Sequence, residues 1–201
     1  RIAINLKINV EDSAHASAPW LAKNAIHESS LFVNEIKNVL ESGQENKTKG
    51  MMLTATLTEI KGGLSHNVTP KECDSTIDIR IPVDMNCKLV EEKISKTVQE
   101  IARKQQVEAF YSIIDETEPF EAEHNSPLVR ALTLGILDIE KNRPTLIRKT
   151  GTGDMNVIGN KLSIPVVTYG PGDPHAAHTI DEKISIDEYL RGIEVLKRTI
   201  Q

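Results

Sequence analysis

The sequence predicts a mixed α/β protein in two parts, and three observations carry that prediction. The first is the order of hydrophobic periodicities over Arg1–Asp115, which runs strand, helix, strand, strand, helix, strand. That order is the one of a ferredoxin-like sandwich, two helices on one face of an antiparallel sheet. The second is a change of character after Thr117, where the acidic stretch Glu118-Pro-Phe-Glu-Ala-Glu-His124 reads as a linker. The third is the α-β-α-β-α alternation that follows, the pattern of a parallel sheet with crossover helices. The expected domains are therefore residues 1–116 and 117–201.

The elements follow in order. Residues Ile2 to Ile8 alternate apolar and polar, as a half-buried strand does. A small-residue loop from Glu11 to Pro19 holds His15 at its centre, with Trp20 just beyond. Ala22, Ala25, Ile26, Phe32, Val33, Ile36, Val39 and Leu40 recur at helical spacing, and Gly43 supplies a stop. The polar tract Gln44–Lys49 is read as a loop, and the Thr-rich stretch Met52–Ile60 as a second strand. A turn-rich connection, Gly62-Gly63 to Asn67 and Pro70, leads to a third strand. That strand sets Cys73, Ser75, Ile77, Ile79 and Ile81 on one face and Asp74, Thr76, Asp78 and Arg80 on the other. Val90, Ile94, Val98, Ile101 and Ala102 define a second helix, and Val107–Ile114 a fourth strand.

In the second part, Ser126-Pro127 is an N-cap followed by a first-turn proline, opening a helix through Ile139. Thr145–Arg148 and Ile164–Thr168 read as short strands. The Gly151–Asn156 stretch leads into a short helix, and Ile186–Ile200 forms the last. Two strands make a poor sheet, so this half is expected to lack neighbours. The sequence opens on Arg1, inside a strand, which agrees with its being a portion of a longer chain.

Charge excludes some classes. The net charge of −5 and the intermixed signs leave no basic stripe for nucleic acid or an anionic membrane surface. No apolar run approaches the roughly 20 residues of a membrane helix. Two cysteines, Cys73 and Cys87, are too few and too far apart for a disulfide framework or a cysteine zinc site, so a reduced cytoplasmic setting is expected.

Chemistry-bearing residues concentrate where strands meet their connections. The loop Tyr169–Glu182 follows an apolar run and precedes a helix, the position at which open α/β sheets bind ligands. It gathers His175, His178, Asp173, Asp181 and Glu182, the imidazole and carboxylate donors a divalent metal takes, though a solvated turn with incidental charge has the same composition. His15 can project from its loop of small neighbours, or be an ordinary exposed histidine. Asn67, beside glycines, is either a turn residue or a donor. Arg80 is either a paired surface charge or a carboxylate clamp. Gly151-Thr152-Gly153 ahead of a helix can aim N–H groups at an anion, or be a flexible turn. His27 and His124 read as solvated, His66 as a turn neighbour, and Cys73 as core. No Gly-x-Ser-x-Gly nucleophile elbow is present.

Taken together, Ala14-His15-Ala-Ser-Ala-Pro19 with Asn24-Ala-Ile26, Gly62-Gly63 with Asn67-Val-Thr-Pro70, Asp78-Ile-Arg80, Gly151-Thr-Gly-Asp154 and Ala177-His178-Thr-Ile-Asp-Glu182 resemble one family in the right order. It is the metal-dependent peptidase and deacylase family of acetylornithine deacetylase and succinyl-diaminopimelate desuccinylase. Thr150–Asn156 with Tyr169–Gly172 is most similar to its hydrolases of lysine or ornithine on an amino-group carrier protein, enzymes of lysine and arginine biosynthesis. The resemblance implies an α/β zinc-peptidase domain holding two divalent metals, zinc or cobalt, and an inserted ferredoxin-like lid that forms a homodimer. By that resemblance His178 is a metal ligand, and His15 is catalytic, reaching a partner subunit's site to polarise the scissile carbonyl or stabilise the oxyanion. Asn67, Arg80, Gly151 and Thr152 match substrate-contacting positions. The substrate would be a small N-acylated amino acid or the carrier protein.

Two departures limit the carry-over. The family often has Ser where Gly153 stands, so no hydroxyl role passes to that position. Its other metal ligands precede the lid, and one imidazole does not close a coordination shell, so this chain alone is expected neither to retain metal nor to hydrolyse an amide. The residues also fit a non-catalytic dimerisation or amino-acid-binding module, and, within the family, acetylornithine deacetylase or a dipeptidase.

Overall fold

The fold was analysed in a computed structural model that describes residues 1–149, 151–173, 176 and 179–201, with the side chain of Lys49 excepted. Two compact units emerge: Arg1–Pro119 with Thr150–Thr152, and Phe120–Lys149 with Gly153–Gln201.

The first unit contains β1 (Ile2–Asn9), α1 (Ala25–Glu41), β2 (Thr54–Gly62), β3 (Glu72–Arg80), α2 (Cys87–Gln105) and β4 (Glu108–Glu116). The strands form one antiparallel sheet in the order β2-β3-β1-β4. That is the expected ferredoxin-like arrangement, in which each crossover helix skips a strand position. Alternation in β1 and β3 sends Ile2, Ile4, Leu6, Ile8, Cys73, Ile77 and Ile79 into the core. α1 answers with Ala25, Phe32, Ile36 and Leu40, and α2 with Val90, Ile94, Val98 and Ile101. Burying the Phe32 ring alone contributes about 1.5–3 kcal/mol. Side-chain caps start both helices: Asn24 accepts from Ile26 N–H, and Asn86 from Leu89 N–H at 2.8 Å. β2 carries one extra residue between Leu57 and Glu59, a bulge at Thr58.

Two polar features of this core escaped the periodicity analysis. Ser29 Oγ and Ser75 Oγ lie 2.6 Å apart, a buried pair joining α1 to β3. Gln44, read as loop, is buried: its Nε2 donates to the Leu40 and Leu53 carbonyls and its Oε1 accepts from Leu53 N–H at 2.7 Å. In the α1–β2 connection the buried backbone groups of Leu53 are thus satisfied by a side chain.

The second unit contains α3 (Pro127–Glu140), α4 (Asp154–Leu162) and α5 (Ile186–Ile200). Ser126 caps α3 as expected, and Ser185 caps α5. α3 and α5 approach closely at Gly135, where an added Cβ would sit 3.1 Å from the Val195 carbonyl oxygen. The expected strands Thr145–Arg148 and Ile164–Thr168 are not strands in the structure; both runs are irregular connections without a ladder partner among the described residues. A strand is defined by its neighbour, and Ile147 and Ile164 stay exposed for want of one. The mixed α/β class stands, with its sheet confined, among the described residues, to the first unit. No helix of the described residues is long and apolar enough to cross a membrane.

Candidate functional site: a ledge carrying His15 and Asn67

The loop after β1 and the loop before β3 are zipped together. Beyond the last ladder pair, Val10 N–H donates to the Lys71 carbonyl at 2.9 Å. Farther out, Thr69 N–H donates to the Ala14 carbonyl, Ala14 N–H to Thr69 Oγ1 at 2.8 Å, and Ala16 N–H to the Asn67 carbonyl at 2.8 Å. An isolated antiparallel bridge pairs His15 with Val68. The chain from Pro70 then holds the start of α1, since Ala25 N–H donates to the Pro70 carbonyl. Two loops 52 residues apart in sequence (67 − 15) therefore form one ledge with a buried clamp, Thr69, beneath an exposed His15.

On this ledge the His15 ring is oriented by Ser17. Ser17 Oγ lies 2.7 Å from His15 Nδ1, and the Ser17 backbone N–H donates to the same nitrogen at 3.2 Å. Asn67 is half-buried, and its Oδ1 accepts from Ser65 Oγ at 2.6 Å, so the remaining polar group of its amide is the NH₂ donor. The two loops that carry His15 and Asn67 are thus paired backbone to backbone, Asn67 opposite Ala16 and His15 opposite Val68.

Arg80 is elsewhere. It ends β3, whereas the ledge precedes the start of that strand at Glu72, and eight residues of strand span about 26 Å. There it pairs with Asp78, Nε to Oδ1 at 2.5 Å, while Arg1 Nε holds the other oxygen of Asp78 at 3.0 Å. Its surface-pair reading and its clamp reading both remain compatible with that position, since a ligand carboxylate would compete with Asp78 for the guanidinium.

Gly151 and Thr152 are half-buried and lie directly ahead of Gly153, the N-cap of α4. The Asn156 side chain already accepts from Gly153 N–H at 3.1 Å, and Asp154 occupies the first turn, so an incoming anion would find part of this terminus taken. His178 and His175 lie outside the described residues. In the described part of the same loop, Glu182 N–H donates to the Thr179 carbonyl and Asp181 N–H to Thr179 Oγ1. His27, His66 and His124 are exposed, as expected, with His124 Nε2 3.4 Å from Glu121. Cys73 is core.

Among the described residues, one cluster has metal-competent spacing: Cys87, Glu116 and Glu118. It does not fit a binuclear zinc or cobalt centre. Burial, with Glu118 and Glu116 adding to it, pushes the Cys87 thiol up to about 11, far from the thiolate a metal needs, and no histidine joins the group. Ser17 and Thr69, read in sequence only as parts of their motifs, turn out to hold the ledge. Their signal was present, a hydroxyl two residues from His15 and another two from Asn67.

A model of the M20 peptidase dimerisation domain matches residues 3–106, the span of the sandwich that carries the ledge. The chain belongs to the M20 peptidase family. Among curated relatives, a LysW-lysine/LysW-ornithine hydrolase of Saccharolobus islandicus is 34% identical over 175 residues, 86% of this chain and 47% of the relative. A hydrolase of the same name from Saccharolobus solfataricus is 32% identical over 203 residues, all of this chain and 53% of the relative. The chain therefore spans about half the length of these curated relatives. In solved structures, an M20 family metallo-carboxypeptidase from Sulfolobus solfataricus superposes with a TM-score of 0.75 at 16% identity, covering 99% of this chain and 57% of that one. Identity that low speaks to the fold alone.

Proposed function

We propose that this chain is the lid and part of the catalytic domain of a metal-dependent amidohydrolase that releases lysine or ornithine from an amino-group carrier protein, or from a related N-acyl derivative. The observation that carries the proposal is the likeness to LysW-lysine/LysW-ornithine hydrolases across the whole chain. Residues 1–116 act as the dimerisation lid and residues 117–201 as catalytic-domain sequence. The setting is cytoplasmic, in amino-acid biosynthesis.

In this reading the ledge is the catalytic contribution of the lid. Attack on an amide carbon places negative charge on the carbonyl oxygen, and preorganised donors aimed there lower the barrier. The His15 ring supplies such a donor from Nε2, and the Asn67 NH₂ a second one for substrate. Arg80 offers a guanidinium to the carboxylate of the released amino acid, and Gly151 and Thr152 line the same pocket. His178 is a ligand of the zinc or cobalt centre. The described residues do not fit that centre, so what they bring to the reaction is their own set of donors.

The separation of Arg80 from the ledge supports a homodimer. One lid cannot bring two groups about 26 Å apart onto one small substrate. Two copies related by a twofold axis can, with the ledge of one subunit reaching the site served by Arg80 of its partner.

Lysine release from the lysine-loaded carrier protein and from N-acetyl-lysine, assayed with the protein at the length of its relatives, tests the proposal. Turnover of either with His15→Ala slowed about 10²–10³-fold and an unchanged unfolding midpoint is expected. No hydrolysis of either substrate by the metal-loaded protein would overturn it.

A further inference from the structure

We infer that Ser17 is the positioning residue for His15, fixing the neutral imidazole in the form that carries its hydrogen on Nε2. The inference rests on the oxyanion role proposed above and explains why the ring can perform it. A backbone N–H only donates, so the 3.2 Å bond from Ser17 N–H requires a lone pair on His15 Nδ1. With Nδ1 unprotonated, the hydroxyl 2.7 Å away acts as a second donor to the same atom. A hydrogen on Nδ1 would forfeit the bond from Ser17 N–H and keep only donation to Ser17 Oγ. Which ring nitrogen carries the proton is set by the bond the other one makes. In this loop both donors belong to one residue.

The consequence is specific to the chemistry. An oxygen gaining negative charge is stabilised by an N–H and repelled by a lone pair. The alternative tautomer would turn a lone pair at Nε2 toward the substrate. The loop is stiff enough for the bias to count. The flanking Ala14 and Ala16 are tied to Thr69 and Asn67, and Ala18 N–H donates back to the His15 carbonyl at 2.8 Å.

The test combines ring-nitrogen NMR with kinetics, in the full-length enzyme loaded with zinc. In wild type with the ring neutral, Nδ1 is expected to show a pyridine-type ¹⁵N shift and Nε2 a pyrrole-type shift. Ser17→Ala keeps the backbone donor but loses the hydroxyl. It should show a mixture of tautomers and a kcat lower by about three- to tenfold, with KM unchanged. Ser17→Thr should restore both the shift pattern and the rate. A pyrrole-type Nδ1 in wild type would overturn the inference, as would Ser17→Ala with wild-type shifts and kcat. A His15→Ala enzyme at full rate, with the wild-type tautomer as stated, would remove the catalytic reading and the positioning role together while leaving the ring geometry intact.

Discussion

The clamp beneath the ledge makes the sharpest stability prediction. In Thr69→Val the side-chain shape is kept and the hydroxyl is lost. Thr69 is 6% exposed and Ala14 9% exposed, so the Ala14 N–H that now bonds Thr69 Oγ1 at 2.8 Å would be left buried without an acceptor. An orphaned buried donor costs about 1–3 kcal/mol, and the isosteric exchange adds no cavity term to it. With a urea m-value of about 2 kcal/mol/M, the midpoint should fall by roughly 0.5–1.5 M. The two compact units need not unfold together, so a local probe is required. Hydrogen exchange of the β1 and β3 backbone amides across the urea series supplies it, since both strands belong to the first unit. Thr69→Ser keeps the hydroxyl and should lose far less. A Val variant as stable as wild type, or a Ser variant that falls as far as Val, would refute the reasoning.

Other predictions concern single contacts. Burial and the adjacent carboxylates hold the Cys87 thiol near 11, so it should resist iodoacetamide at about pH 8 in the native state and react once unfolded, as mass spectrometry would show. The Arg148 guanidinium, chiefly, and then His124 hold the Glu121 carboxyl below its ordinary 4.5. A carboxylate with a depressed folded pKa stabilises fully above its unfolded value and loses that contribution as pH falls through the folded one. Glu121→Gln should therefore narrow the stability difference between neutral and acid conditions, read from thermal melts across that range. In Gly135→Ala the new methyl would meet Thr199 Oγ1 at 2.8 Å and the Val195 carbonyl at 3.1 Å. The hydroxyl can turn away but the backbone cannot, so α3 and α5 must part, at a cost of about 1–3 kcal/mol in the melting of the second unit.

The sandwich was legible because its code is local. Two-residue alternation in β1 and β3 and the helical spacing of Phe32, Ile36 and Leu40 each name a buried face, and element order then selects the sheet. The buried polar contacts were not legible, since Ser29–Ser75 and Gln44–Leu53 join residues whose partners only the fold reveals. The strands expected at Thr145–Arg148 and Ile164–Thr168 show the converse limit. Apolar composition can propose a strand, but a ladder needs a neighbour. At the site, single residues could be picked from the sequence, whereas their grouping could not. The loops of His15 and Asn67 meet through a backbone bridge, His15 to Val68, that leaves no periodic trace, and Arg80, equally prominent in sequence, lies at the far end of the sheet.

Mixing two inactive variants of the full-length protein, His15→Ala and His178→Ala, measures the central claim. If His15 serves its partner's centre, random reassociation makes half the dimers mixed, and each mixed dimer regains one of its two sites, giving about a quarter of wild-type activity. Activity that stays at the level of the separate variants, in mixtures shown to exchange subunits, would contradict the account.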